Sequence, residues 1–302
     1  MKRAQQLLSP ASLAALMAQQ HVRLFEVGCD AIDQFHSGHI DGATYIDTNA
    51  IEHGPLWNKV ADEALLAVLG MHGLHHDSCV VLYGRNNLAA ARLAHLMLYA
   101  GVADVRLLDG GFASWCAANG ALRCGPGRKQ ASSKSADACF GGPFPAHPEY
   151  VMSMAQTRSF LRQAAGALVS IRSRAEFEGQ TSGYSYIPGK GEIAGALWGR
   201  AGADHDVNSM SAYHDVNGCM KAAGEISRFW LEAGIEPGRP AAFYCGTGWR
   251  ASLAFFYAWL MGWPQISVYD GGWLEWSSDP LNQGDCIIHP GRQAGLAMIE
   301  TR

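Results

Sequence analysis

A cysteine followed by spaced glycines and closed by an arginine is a candidate nucleophile, and Cys245-Gly246-Thr247-Gly248-Trp249-Arg250 is such a run. It begins where the apolar segment Ala241–Tyr244 stops and ends where the apolar segment Ala251–Met261 starts, so a strand, a loop and a helix are expected. Glycines at 246 and 248 let the backbone curl until successive N–H groups point inward, forming an anion-binding nest. The helix behind it adds the positive end of its dipole at the same spot. A thiol at the strand end then faces several donors, which favour thiolate over thiol. Arg250 adds a fixed charge. The ordinary alternative is a small buried apolar cysteine. The other seven (29, 79, 116, 124, 139, 219 and 286) are read that way, since none opens such a loop. With no C-x-x-C pair, neither a metal site nor a dense disulfide framework is expected, and a reducing compartment is.

The elements that must position this loop are written twice. Shifted by 161 positions, the chain matches itself: Val81-Leu82-Tyr83-Gly84 falls on Ala242-Phe243-Tyr244-Cys245, and Asp109-Gly110-Gly111-Phe112 falls on Asp270-Gly271-Gly272-Trp273. Upstream, His39-Ile40-Asp41-Gly42-Ala43 matches Glu192-Ile193-Ala194-Gly195-Ala196, and the second copy carries extra residues between Phe177 and Glu192. The first copy's loop reads Gly84-Arg85-Asn86-Asn87-Leu88-Ala89, with neither nucleophile nor terminal arginine. One copy is armed and the other is not. Expected strands are Arg23–Val27, Cys79–Tyr83 and Val105–Leu108 in the first copy, and Ala167–Ile171, Ala241–Tyr244 and Ile266–Tyr269 in the second. Apolar helices at Leu88–Ala100 and Ala251–Met261 alternate with them, which argues for parallel βαβ units with helices on both sheet faces. Ligands of such sheets sit beyond the carboxyl ends of strands, where the Cys245 loop lies. The expected division is a first domain at 1–122, a Gly-, Ser-, Lys- and Pro-rich linker at 123–147, and a second domain at 148–302.

Composition excludes several classes. The charge of −4, with no basic block, gives nucleic-acid binding little support. The most apolar stretch, Ala251–Trp263, is short of the roughly 20 residues that span a bilayer, so no membrane partner is expected. Lys2 and Arg3 ahead of Leu7–Ala18 mimic a leader. The Ser9-Pro10 start signal instead reads as a first helix leading into a strand from Val22. A cytoplasmic location follows, or a periplasmic one if a leader is missing from this chain.

Phe35–Ala43 (F-x-x-G-H-I-x-G-A), Asp270–Trp276 (D-G-G-W-x-x-W) and the inert first copy together resemble the tandem rhodanese family. The stretch Thr181–Tyr186 with the C-G-T-G-W-R loop is similar to a bacterial multi-rhodanese-domain thiosulfate sulfurtransferase subgroup. The resemblance implies an α/β fold of two rhodanese-like domains, each a mostly parallel sheet with helices on both faces. It implies that Cys245 takes up a sulfane sulfur as a persulfide, held by the amides of Gly246, Thr247, Gly248, Trp249 and Arg250. The donor would be thiosulfate, with 3-mercaptopyruvate as the alternative. The acceptor would be cyanide or a thiol, a protein thiol included. The persulfide is itself the carrier, so no cofactor is expected. The chain departs from the family at three places: the loop is neither C-R-K-G-V-T nor C-G-S-G-V-T, Ser170 stands where an acidic residue is usual, and Glu176 stands where a substrate-binding arginine is usual. Arg250 is thereby left without its common family partner, free to meet substrate or another carboxylate.

The rival chemistry is a cysteine-based phosphatase, but those enzymes place five residues between Cys and Arg, and here Gly246–Trp249 are four. A non-catalytic carrier or binding role would suit the first copy alone. His72, His75 and His76 suggest a metal cluster but read as a solvated loop around Gly73. Trp259, Trp263, Trp273 and Trp276 read as packing, while Trp249 is expected to wall the sulfur pocket. Lys190, Arg174 and Arg200 lie in or near the extra segments; they could draw in an anionic donor, but exposed charges of this kind are usually solvated surface.

Overall fold

The computed structural model describes residues 3–19, 22–128, 140–163, 166–282 and 286–287. The centre of the expected linker with Cys139, and the end of the expected second domain beyond 287, lie outside the described residues. The first domain contains β1 (Leu7–Leu8), β2 (Arg23–Gly28), β3 (Thr44–Asp47), β4 (Cys79–Tyr83) and β5 (Asp104–Leu108). Its helices are α1 (Pro10–Gln19), α2 (Ile32–Ser37), α3 (Asp62–Met71), α4 (Asn87–Ala100) and α5 (Gly111–Ala117). The second contains β6 (Val151–Met152), β7 (Ala167–Ser170), β8 (Leu197–Trp198), β9 (Ala241–Tyr244) and β10 (Ile266–Tyr269), with α6 (Met154–Gln163), α7 (Arg174–Phe177), α8 (Ala223–Glu232), α9 (Trp249–Leu260) and α10 (Gly272–Ser278).

The two sheets share one topology, with strand orders β1-β5-β4-β2-β3 and β6-β10-β9-β7-β8. Every pairing in them is parallel. In the first, Glu26 stands opposite Tyr83; in the second, Ser170 stands opposite Tyr244. The inner strands are buried along nearly their whole length, which is why they read as apolar runs rather than as alternating ones.

Helices α4 and α9 explain their own sequences. Both are largely apolar and buried on nearly every face, because each packs on its own sheet and on the other helix, and their few polar residues, Arg92, His95 and Arg250 among them, find buried partners. Their side chains belong to one hydrophobic cluster that runs through both domains, from Phe25 and Leu82 to Phe243 and Val268. The domains therefore share a core. The D-G-G turns cross the same boundary in pseudo-symmetric fashion. Asp109 Oδ1 accepts the backbone N–H of Met220 at 2.8 Å, and Asp270 Oδ2 accepts that of Lys59 at 2.8 Å.

Candidate active site

Cys245 follows β9 directly and is 1% exposed. Gly248 takes φ +108, a left-handed conformation that suits glycine, and caps α9. The helix thus starts at Trp249 rather than at Ala251, which puts Trp249 and Arg250 in its first turn. The Gly248 N–H points back at Cys245 Sγ, 3.1 Å away. The loop carbonyls turn the other way: Cys245 C=O accepts Trp273 N–H at 2.7 Å, and Gly246 C=O accepts Leu274 N–H at 3.0 Å. This closeness requires Gly272, whose absent Cβ would lie 2.6 Å from both carbonyl oxygens. Gly111 does the same against Gly84 C=O in the first copy, so the repeated D-G-G turn is the brace of the loop.

Arg250 is not left open to substrate. Its guanidinium is 1% exposed and makes a bidentate pair with Glu176, Nη1 to Oε2 at 2.7 Å and Nη2 to Oε1 at 2.8 Å. Nη2 also donates to Tyr184 Oη at 3.1 Å. Glu176 reaches this position as the third helical residue after Ser173, in a capping box that fixes the start of α7. Burial pushes the Glu176 carboxyl up, but the Arg250 charge and hydrogen bonds, helped by Arg172, outweigh it and hold it below the ordinary carboxylate value. The usual acidic residue missing at Ser170 is likewise replaced from elsewhere. Glu192 accepts from Ser170 Oγ at 2.6 Å and from Tyr244 Oη, and lies 3.4 Å from Arg172 Nη1. The first copy has this arrangement reversed, with Glu26 on the strand and His39 at the position that matches Glu192.

The first domain reaches into the site. Glu52 Oε1 accepts Trp249 Nε1–H at 2.6 Å, and its Oε2 accepts Arg92 Nε–H at 3.1 Å. Arg92, from α4, continues to Asp270 Oδ1 at 2.7 Å. Burial raises the Glu52 carboxyl, and the Arg92 charge and the Trp249 hydrogen bond partly offset it. Trp249 does wall a cavity, together with Thr247, Tyr184, Tyr186, Glu52 and Trp57. Glu52, Trp57 and Arg92 were not expected from sequence; the Gly54-Pro55 turn before Trp57 was the only local signal.

The other residues singled out from sequence divide. Arg200 does not face the site: it lies 3.4 Å from Glu232 and stacks over Phe229. Arg174 pairs with Glu178, and Lys190 is exposed. His72 and His76 are half-buried rather than solvated, set against Phe25 and Phe140. Trp259, Trp263, Trp273 and Trp276 are core residues, as their packing role predicts.

Two matching parallel α/β domains, the second carrying a cysteine loop braced by a D-G-G turn, define a tandem protein built on one repeated unit. The chain belongs to the rhodanese family: the rhodanese-like domain matches at residues 9–118 and again at 153–279. It is 51% identical over 260 residues to the thiosulfate sulfurtransferase YnjE of Escherichia coli K12, covering 86% of this chain. The chain spans 58% of that relative's length. It is 28% identical over 267 residues to the sulfur carrier protein TtuD of Thermus thermophilus, covering 85% of this chain and 88% of TtuD. The crystal structure of YnjE superposes with a TM-score of 0.86 at 48% identity, over 91% of this chain and 67% of that one. An anaerobic ergothioneine biosynthesis enzyme from Chlorobium limicola superposes with a TM-score of 0.85 at 36% identity, over 92% and 69%. Among the described residues, no helix is long and apolar enough to cross a membrane.

Proposed function

We propose that the chain is a sulfurtransferase that moves a sulfane sulfur from thiosulfate to a thiol or cyanide through a persulfide on Cys245. The observation that carries this reading is the Gly248 N–H aimed at Cys245 Sγ in a loop whose carbonyls are tied away from it. The Cys245 thiolate attacks the outer sulfur of thiosulfate, a new S–S bond forms, and sulfite leaves with the electron pair of the old one. The acceptor then attacks the outer sulfur of the persulfide, and Cys245 thiolate is the leaving group. Amides of Gly246 through Arg250 stabilise the negative sulfur at each stage. Thiosulfate as donor is supported by the name of the E. coli relative. Thiols outside any disulfide at Cys29, Cys116, Cys124 and Cys219 fit a reducing, cytoplasmic setting.

In this reading residues 148–302 carry the chemistry and 1–122 form the inert partner domain, joined by 123–147. Cys245→Ser is expected to abolish thiosulfate:cyanide sulfurtransfer while the protein melts within a few degrees of the wild type. Turnover persisting in Cys245→Ser would refute the assignment. A persulfide that forms on Cys245 without turnover to small acceptors would instead favour a carrier role, the function named for TtuD.

A further inference from the structure

A cavity of about 260 Å3 lies against the Cys245 loop. Thr247 and Trp249 wall it from the loop side, Tyr184 and Tyr186 from the second domain's extra segment, and Glu52 and Trp57 from the first domain. This is far more room than one sulfur atom or one cyanide needs. Four of the ten residues that line it are aromatic. Tyr184 and Tyr186 stand with ring centroids 5.4 Å apart and planes tilted by 57°, so they form a corner rather than a stack. Trp57 sits at φ +59, a conformation that a bulky residue keeps only when its surroundings impose it. Those surroundings are the hairpin of Glu52–His53 and Asn58–Lys59, which is fastened to the second domain. Lys59 N–H binds Asp270, and Asn58 Nδ2 donates to Glu275 Oε1 at 3.2 Å.

Charge gives the second observation. Among the described residues lining the cavity there is no lysine or arginine. The two nearby guanidiniums are committed, Arg250 to Glu176 and Arg92 to Glu52 and Asp270. The Glu52–Arg92–Asp270 cluster carries two carboxylates for one guanidinium. Glu52 accepts one hydrogen bond at each oxygen, and a carboxylate has about four lone-pair sites, so acceptor capacity is left over. Away from the loop amides, an anion meets no guanidinium on the cavity wall. A soft cation meets aromatic faces and an excess carboxylate together.

We infer that this cavity binds a small organic cation, a quaternary ammonium or a similarly methylated amine, held by the aromatic faces and by Glu52. The inference rests on the sulfurtransferase reading, because such a head group would belong to the thiol acceptor brought to Cys245. Binding itself, however, requires no sulfur chemistry. The test is titration calorimetry of the Cys245→Ser protein with choline and with its uncharged isostere 3,3-dimethylbutan-1-ol. Saturable choline binding is expected, at least tenfold tighter than that of the alcohol. Glu52→Gln and Trp57→Leu should each weaken it at least fivefold. Tyr186→Leu, at a residue 51% exposed, gives the same readout without risk to the core. Equal binding of the two probes, or no saturable choline binding, would overturn the inference. If persulfide still forms on the wild type, that outcome overturns the cation site alone. Choline binding in a protein that never takes up sulfur would overturn the sulfurtransfer reading alone.

Discussion

Replacing Arg250 with alanine separates two roles that an arginine at the end of such a loop can have. In the structure its guanidinium and the Glu176 carboxylate are each 1% exposed and meet through two hydrogen bonds of 2.7 and 2.8 Å. Removing one partner of a buried pair leaves an uncompensated charge and costs about 3–5 kcal/mol. Arg172 Nε, 3.6 Å from Glu176 Oε1, remains to offset part of this, so the lower end applies. At roughly 2–4 °C per kcal/mol for a domain of this size, the melting temperature should fall by about 6–12 °C. Activity should fall with it, because Arg250 lies in the first turn of the helix that follows the loop. An Arg250→Met, Glu176→Met double variant, which removes both charges, should regain more than half of the lost stability. Calorimetric melting and thiosulfate kinetics of the three variants decide the matter. If Arg250→Ala melts within about 2 °C of the wild type while kcat/KM drops ten- to a hundredfold, the arginine binds substrate and the brace argument is wrong.

Two other perturbations test the scaffold. Burial, with Arg92 nearby, lowers His95 to about 4, and its Nε2 lies 2.9 Å from the Tyr150 carbonyl between α4 and α9. The unfolded imidazole titrates near 6.5, so His95 contributes stability that is full above about pH 6.5 and is lost as pH falls toward 4, roughly 2 kcal/mol by pH 5. His95→Gln should flatten that slope of melting temperature against pH, and parallel curves would refute it. A cysteine at Gly84 should not create a second active site, since its Cβ would lie 2.5 Å from the Asn86 carbonyl oxygen and 2.9 Å from that of Val27. The Gly84→Cys, Cys245→Ala protein should melt lower and turn over no thiosulfate; measurable transfer would contradict this.

The armed loop, the repeat and the parallel sheets were legible because each is local in sequence. Cys79–Tyr83 and Ala241–Tyr244 appear with the bounds their apolar runs suggest. Two-residue strands such as Leu7–Leu8 and Val151–Met152 are too short to carry a period, and no sequence pattern marked them. Helix α9 starts earlier than expected because the left-handed Gly248, not the first aliphatic residue, ends the loop. Glu176 was visible as a departure from the family, yet its role depends on α7 facing α9, which spacing does not encode. The same holds more strongly for Glu52, Trp57 and Arg92. They reach the Cys245 loop from the other domain, and nothing in the linear order links Glu52 to Trp249. What a domain does for itself could be read; what it does for its neighbour could not.

The central claim is that Cys245 alone takes up sulfur, and intact mass after incubation with thiosulfate tests it most directly. The wild type should gain one sulfur atom, located on the peptide containing Cys245 and lost on addition of cyanide, and Cys245→Ser should gain none. No gain with thiosulfate but a gain with 3-mercaptopyruvate would contradict the donor. Sulfur on Cys29, which lines the same cavity, with Cys245 unmodified would contradict the account itself.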